Sequence, residues 1–566
     1  MIIDVSEHTK FLDDWHRNIK SNQYNTTLLL LSVLNLVCMI RGLFFRGEIM
    51  SKVSHYIEVM KHIPDYAYIA TTSLGMGGLP EQLLKGLGEY YQKYQSPRNL
   101  SFITTGGIGI GPGRGLDHIL YPNLLKRATT SYLYYSANTI EAVLNNEIEM
   151  YYLPQGIIGQ LYRDAARGGV GVFSQVGTET FIDPKYLGGK FNEKTRQQED
   201  VVKEIYFNDE RWLHYQPLPI NVAFIKASYA DTRGNLSLKR EPFVLEALSI
   251  ASAVKNNGGI VIAQVEQVVE DYSIPAKEVV VPGALVDYVV VADKKYHMQT
   301  VLTQYNPAIS NEIRIPLSEY EHLPLSPSKV ILRRASQELA KGSFVNVGVG
   351  LAANIGQIIS ESHLIDQIHL SVDLGSIGGM PVPGLDFGMN YNAEAIIPSQ
   401  SLFEYYHGGG IDTTVLGFGQ FNKKGEMNST YLNGTLNGPG GMLDIVQGAD
   451  KIVFVGSFTV KAELTIENQQ LVIQKEGYAT KFVESLPLSN FSSHYMKSLG
   501  KQIILITERA VFEIDNHGQF VLMEIAEGID IQGDILDLIP WSIKVSEHLK
   551  IMDPALFAED WQLTLE

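Results

Sequence analysis

The sequence contains a single cysteine, Cys38, among 566 residues. One thiol excludes an internal disulfide framework and any zinc site built from several thiolates. So little cysteine is typical of a reducing compartment, and we therefore expect the protein to be cytoplasmic.

Basic side chains are also scarce, since 45 Lys and Arg stand against 62 Asp and Glu, which leaves a net charge of −17. Binding a nucleic acid requires a clustered surplus of Lys and Arg. We therefore expect no nucleic-acid partner. A hydrophobic fraction of 45% with only 19% charged residues provides enough apolar material for packed cores.

No apolar run is long enough for a typical membrane span. The longest, at 28–40, falls short of the ~20 residues needed and contains Ser32 and Asn35. The residues before it are polar and acidic, and no small-residue cleavage site follows, so a secretory signal is not expected either. Because a globular pattern begins directly after Met50, we predict that residues 1–49 are an extension outside the working protein.

Several catalytic motifs are missing. The sequence has no Gly-x-x-x-x-Gly-Lys-Ser/Thr loop, no His-Glu-x-x-His and no Gly-x-Ser-x-Gly. The glycine-rich stretch at 106–115 is interrupted by Pro112, which argues against a dinucleotide loop. The 14 histidines are scattered, and no metal is implied. Kinases, zinc peptidases and ordinary serine hydrolases are thus disfavoured.

What the sequence does contain is an alternation of apolar runs, glycine-rich turns and amphipathic stretches, which predicts an α/β fold. Two patterns occur twice: strand, glycine turn and helix at 68–87 and 344–358, and strand with a tight turn at 222–237 and 414–428. We therefore predict two related open-sheet α/β domains in one chain, at 50–320 and 325–566. Prolines and serines interrupt the periodicity between them.

The most unusual stretch is 368–392, where an apolar strand ends at Asp373 and is followed by Gly375, Gly378 and Gly379. Ligands bind at the carboxyl ends of strands in open α/β sheets. Glycines there would let a ligand approach backbone N–H groups, which can stabilise an oxyanion. Two more glycine clusters follow at 407–412 and 437–442. Tight turns beside a solvated Asp373 are the alternative.

These motifs and their order resemble the family I coenzyme A transferases, of the single-chain type that acts on short-chain acyl-CoA with acetate, propionate or 3-oxoacids. The resemblance covers nearly all of 50–566. It rests on stretches shared in order: LPQG (153–156), VGTETFIDPKYLGGK (176–190), ADTRGNLS (230–237), GGIVIAQVE (258–266), VPGALVDYVVV (281–291), GGMPVPGLDFG (378–388), GGGIDTTVLG (408–417) and GPGGMLDIVQGADKIVF (438–454).

The resemblance implies ping-pong chemistry, in which a glutamate forms an acyl anhydride and then a thioester with CoA. In this chain the glutamate position of the family's Glu-x-Gly, Gly-Gly pattern is occupied by Asp373, while Gly375, Gly378 and Gly379 match. Aspartate keeps the charge but withdraws it by one C–C bond, about 1.5 Å. The shorter side chain is the main departure from the family pattern.

The resemblance also implies supporting roles. Gly409 and Gly410 are candidates for the oxyanion hole, and Gly438, Gly440 and Gly441 for receiving CoA. Four further residues are expected to face the same cleft from the first half, although turn formation and packing explain them equally well: Gln264, Glu266, Gly77 and Gly78.

The expected function is transfer of CoA between short-chain acyl-CoA and free acids of the acetate, propionate, butyrate and acetoacetate class, as in short-chain fatty acid and ketone-body metabolism. A CoA-thioester hydrolase or lyase on the same fold, or a non-catalytic acyl-CoA-binding protein, is the alternative. We expect no cofactor beyond CoA itself, as substrate and covalent intermediate, and a homo-oligomer, tetrameric or dimeric. The preferred acid depends on pocket shape, which the sequence does not give.

Overall fold

The computed structural model describes residues 52–133 and 136–565. The predicted extension at 1–49 lies outside the described residues. Within them no helix is long and apolar enough to cross a membrane.

The first half is built on an eight-stranded sheet with the order β11-β10-β8-β1-β2-β3-β4, in which β9 pairs with β8 outside this order. Strands β5, β6 and β7 of this half form a separate three-stranded sheet. Its strands are β1 (Tyr68–Thr71), β2 (Leu100–Ile103), β3 (Leu125–Thr130), β4 (Glu149–Tyr152), β5 (Val172–Ser174), β6 (Val202–Phe207), β7 (Glu210–Tyr215), β8 (Val222–Asp231), β9 (Leu236–Ser237), β10 (Ile260–Val269) and β11 (Tyr288–Val291). Its helices are α1 (Glu81–Tyr94), α2 (Ala137–Leu144), α3 (Gln155–Ala166), α4 (Glu193–Arg196) and α5 (Ala247–Asn256).

The second half is built on a ten-stranded sheet with the order β17-β14-β13-β12-β18-β23-β29-β30-β31-β32, and the other strands of this half form small separate sheets of two or three strands. Its strands are β12 (Phe344–Val347), β13 (His369–Val372), β14 (Ser376–Ile377), β15 (Met380–Pro381), β16 (Asn390–Tyr391), β17 (Ala395–Ile396), β18 (Ile411–Gly417), β19 (Gln420–Phe421), β20 (Glu426–Asn428), β21 (Tyr431–Leu432), β22 (Thr435–Leu436), β23 (Ala449–Val455), β24 (Thr459–Val460), β25 (Glu463–Glu467), β26 (Gln470–Lys475), β27 (Ala479–Thr480), β28 (Phe491–Ser492), β29 (Gln502–Ile506), β30 (Ala510–Ile514), β31 (Phe520–Ile525) and β32 (Lys544–Ile551).

The helices of the second half are α6 (Pro327–Ser336), α7 (Ile355–Glu361), α8 (Ser399–His407), α9 (Met442–Gly448), α10 (Ser493–Ser498) and α11 (Ile531–Asp534). The predicted boundary at 320–325 falls between β11, the last strand of the first sheet, and α6.

The central strands of both sheets are parallel, and their residues are almost all buried. In β8, nine of the ten positions are buried, as expected for a strand covered by helices on both faces. The five neighbouring strands β13, β12, β18, β23 and β29 all run in the same direction. Their carboxyl ends therefore meet at one edge of the sheet. These two open sheets confirm the predicted α/β fold.

The halves pack through helices α3 and α8, and glycines permit the close approach. A Cβ on Gly156 would lie 2.7 Å from the Phe403 ring, and one on Gly159 would lie 3.0 Å from Cβ of Gln400. The N-terminal part of α3 therefore packs directly against α8 of the second half. This packing places the N-terminus of α3 beside the carboxyl edge of the second sheet.

Candidate active site

Asp373 lies at the carboxyl edge of the second sheet, immediately after β13. The residues that follow the three adjacent parallel strands, Gly348, Phe418 and Gly456, lie at the same edge. Together they line a cavity of about 650 Å³. Among the described residues that line this cavity, Asp373 is the only one with a carboxylate.

Asp373 is enclosed by protein on one side and open to the cavity on the other. Burial and, to a smaller extent, the negative charge of Asp444 raise the pKa of Asp373 to about 7. Its own backbone N–H and the side chain of Gln155 hydrogen-bond the carboxylate and oppose this shift. A carboxylate of this kind is only partly ionised at neutral pH.

Asp444 is fully buried, and its partners come from both halves of the chain. Its Oδ2 accepts the backbone N–H of Gly156 at 3.1 Å, and its Oδ1 lies 2.8 Å from Nε2 of His407. The other ring nitrogen of His407 lies 2.9 Å from the amide of Gln160. This buried network fixes α3 to the helices behind Asp373 and so positions Gln155.

The loop at 437–441 crosses between the halves. Leu133 N–H donates to the carbonyl of Asn437 at 2.6 Å, and Gly440 N–H donates to the carbonyl of Ser131 at 3.0 Å. A Cβ on Gly441 would stand 2.6 Å from Oδ2 of Asp373. The predicted CoA-receiving glycines Gly438, Gly440 and Gly441 all line the cavity.

The glycines that follow Asp373 have a different position. Gly375, Gly378 and Gly379 have φ of +114°, +74° and +68°, and a Cβ on Gly375 or Gly379 would stand about 2 Å from a backbone carbonyl oxygen. They form the tight turns that link β13, β14 and β15 and do not line the cavity. These glycines allow close contact with neighbouring backbone atoms, and they set the shape of the sheet edge from which Asp373 projects.

Gly409 and Gly410 are not brought to Asp373. They follow the C-terminus of α8 and precede β18, at the amino end of a strand parallel to β13, and so lie at the opposite edge of the sheet. Their N–H groups donate to Tyr406 and Tyr405 carbonyls of α8, at 2.9 and 3.1 Å. Donors already used to cap a helix cannot stabilise an oxyanion, so the structure does not support the predicted role.

Of the four residues expected from the first half, none lines the cavity. The Gln264 side chain accepts the N–H of Gln82 and donates to Tyr296, inside a separate buried network. Glu266 pairs with Arg240. Gly77 and Gly78 form a turn packed on Phe243 and Leu245. Leu74 and Gly75, just before that turn, do line the cavity.

The cavity has two chemically distinct ends. At the first-half side the wall is apolar and contains Leu74, Val301, Leu385 and Phe387, while at the far side Lys481 lies over Phe418. In the sequence Gln155 lies within the shared LPQG stretch, and no local pattern marks Asp444 or Lys481 as functional residues. Within the described residues no group of three or more His, Cys, Asp and Glu side chains could hold a metal.

Known proteins resemble this chain over most of its length. The family described as coenzyme A transferase matches residues 54–292. Caffeate CoA-transferase of Acetobacterium woodii is 38% identical over 518 residues, which cover 90% of this chain and 98% of the relative. Acetate CoA-transferase YdiF of Escherichia coli K12 is 38% identical over 507 residues, covering 89% and 94%.

A crystal structure of YdiF from E. coli O157:H7, a thioester complex with CoA, superposes with a TM-score of 0.82 at 36% identity and covers 90% of this chain and 96% of that one. These similarities extend through both halves. The chain belongs to the coenzyme A transferase family and is a CoA-transferase.

Proposed function

We propose that the chain transfers CoA between short-chain acyl-CoA and free carboxylic acids, with Asp373 as the nucleophile. The observation that carries this proposal is that Asp373 is the only carboxylate among the described residues lining the cavity. A thioester complex with CoA of a relative at 36% identity supports covalent chemistry on this fold.

In the first half-reaction an Asp373 carboxylate oxygen attacks the acyl-CoA carbonyl, and the carbon–sulfur bond breaks to release CoA thiolate. The thiolate then attacks the Asp373 carbonyl of the resulting anhydride. The donor acid leaves as its carboxylate, and Asp373 holds CoA as a thioester. The acceptor carboxylate reverses these steps, so that each acyl–oxygen bond formed is balanced by one broken and Asp373 is regenerated.

The packing around Asp373 offers a way to accept the shorter side chain. Gly441 lies so close to Oδ2 that no side chain fits between them, and Gln155 hydrogen-bonds the carboxylate from the other half. The 437–441 loop and helix α3 therefore contact the shorter aspartate side chain directly. A nucleophile held by both halves can be productive without the methylene that glutamate would add.

The apolar end of the cavity supports a short aliphatic acyl group as substrate. Leu74 and Leu374 both reach the position where a Cβ on Gly388 would stand, at 2.6 and 2.5 Å, so Leu74 of the first half packs close to the residue that follows Asp373. An acyl group bound to Asp373 would be shielded from water there, as acetate, propionate, butyrate and acetoacetate require. The shielding also favours transfer to an acid over hydrolysis.

The test is to mix the full chain with acetyl-CoA without an acceptor acid and to map the product by intact-protein and peptide mass spectrometry. We expect a CoA adduct on Asp373, released when an acid is added. Label exchange across the four acids then identifies the preferred acceptor. Asp373→Ala should abolish adduct and exchange while it still binds CoA. Full exchange in that variant would eliminate Asp373 as the nucleophile.

The wider context of the activity is also part of the proposal. We propose that CoA, as substrate and covalent intermediate, is the sole cofactor, that the enzyme is a homo-oligomer, dimeric or tetrameric, and that it works in the cytoplasm on short-chain fatty acids or ketone bodies. The family resemblance supports the assembly, and the single cysteine supports a reducing compartment. Light scattering of the purified chain measures the assembly directly.

A further inference from the structure

Lys481 is a cation in the wall of the cavity that also contains Asp373. It follows β27, and its Nζ lies 4.5 Å from the centroid of the Phe418 ring and 3.1 Å from where a Cβ on Gly456 would stand. The absence of a side chain on Gly456 therefore leaves room beside the ammonium group.

Within 52–133 and 136–565 no acidic side chain forms an ion pair with Lys481. Glu508 attracts it, but the Glu508 oxygens accept hydrogen bonds from the Phe458 N–H and from Arg509. Burial lowers the pKa of Lys481 to about 8. A half-buried ammonium without a counter-ion is costly, and an anionic ligand would offset that cost.

The strand order gives the distance from the nucleophile. Phe418 and Gly456 follow β18 and β23, which are two and three strands from β13. At a strand spacing of about 4.8 Å, Lys481 lies on the order of 10–14 Å from Asp373 along the edge. A two- to four-carbon acyl group reaches only about 4 Å from its carbonyl carbon. The extended pantetheine arm, with about a dozen chain bonds, spans roughly 15 Å.

We propose that Lys481 binds the diphosphate of CoA, so that pantetheine runs along the carboxyl edge of the second sheet from Asp373 to Lys481. The inference rests on the proposed function in one respect, since it takes the thiol end of CoA to react at Asp373. Two of the strands along this path, β12 and β23, are each followed by a small residue, Gly348 and Gly456. These glycines line the cavity and leave a channel at the edge of the sheet. The acyl group then occupies the apolar end beside Leu74.

The test compares acetyl-CoA with acetyl-pantetheine, which lacks the phosphates, as donors for the full chain. Lys481→Met should lower kcat/KM for acetyl-CoA by about 10- to 100-fold, the effect of losing one charge-assisted hydrogen bond. The value for acetyl-pantetheine should change less than twofold. Lys481→Arg should restore most of the loss. Lys423→Met removes the same charge from an exposed position and serves as the matched control.

An equal loss with both donors, or no loss with either, would overturn the assignment. So would a loss seen only with a dicarboxylic acceptor, because the anion would then be a carboxylate of the acid. Calorimetry with free CoA needs no turnover and should show weaker binding to Lys481→Met than to the wild type. If Lys481→Met binds CoA more weakly than the wild type while neither protein shows exchange activity, the diphosphate site is supported and only the proposed function fails. Thermal unfolding checks that the variants fold.

Discussion

At the scale of one residue, Asp373 must lose its proton before it can attack a thioester. Its pKa of about 7, raised by burial and by Asp444, means that ionisation increases through neutral pH. We expect the rate of CoA-adduct formation to rise about tenfold from pH 6 to pH 8 and then to level off. Quenched-flow mass spectrometry measures this rate.

The charge of Asp444 provides the control for that profile. Asp444→Asn keeps an acceptor for the Gly156 N–H but removes a negative charge that raises the pKa of Asp373. The rise should therefore move to lower pH. If the rate of adduct formation in the wild type is flat between pH 5 and pH 8, the nucleophile does not lose a proton near neutral pH, and the raised pKa of Asp373 does not control the reaction.

The local pattern in the sequence was sufficient to single out Asp373 as a candidate, because a strand followed by glycines is encoded by neighbouring residues, and the structure places this candidate in the wall of the cavity. Gln155 comes from the first half and meets Asp373 only after the halves pack, whereas Asp444 comes from α9, far along the chain from Asp373 in the same half. No local signal marks them. Their roles depend on tertiary contacts that spacing along the chain does not contain.

At the scale of elements, the two glycine clusters of the second half show why the oxyanion assignment was wrong. The cluster at 408–410 caps α8 and precedes β18, whereas the cluster at 438–441 leads into α9 at the site. Both clusters are rich in glycine, so the sequence does not distinguish them. Which end of the parallel sheet each one occupies decides its function.

The loop before α9 offers a prediction at this scale. Gly441 has φ −78°, which alanine also adopts, so Gly441→Ala tests contact and not backbone strain. Its Cβ would stand 2.6 Å from Oδ2 of Asp373 and displace the carboxylate. We expect kcat to fall on the order of 10²-fold, as misplacement by about 1 Å can cause, while the melting temperature changes little.

Gly408→Ala is the matched control for Gly441→Ala. Gly408 has φ −75°, and a Cβ there would meet nothing closer than 3.5 Å. Its kcat should stay within twofold of the wild type. A Gly441→Ala protein with full kcat and a much lower melting temperature would show that this glycine serves packing alone.

At the scale of the whole molecule, the two-sheet architecture follows from apolar periodicity, which the sequence displays twice. The way the halves meet does not, because it depends on complementary surfaces such as Gly156 against Phe403. The site is built at that interface. Gln155 hydrogen-bonds Asp373 across it, and Ser131 and Leu133 hold the loop that carries Gly441.

This dependence predicts the behaviour of a divided chain, cut between the exposed residues Glu321 and His322. The second half alone keeps Asp373 but loses the Gln155 hydrogen bond and the anchoring of the 437–441 loop, so we expect adduct formation to fall at least 10²-fold. Co-expression of 50–321 with 322–566 should restore it, with both pieces eluting together in size exclusion. A second half that forms the Asp373 adduct at the rate of the intact chain would show that the first half contributes nothing to the nucleophile.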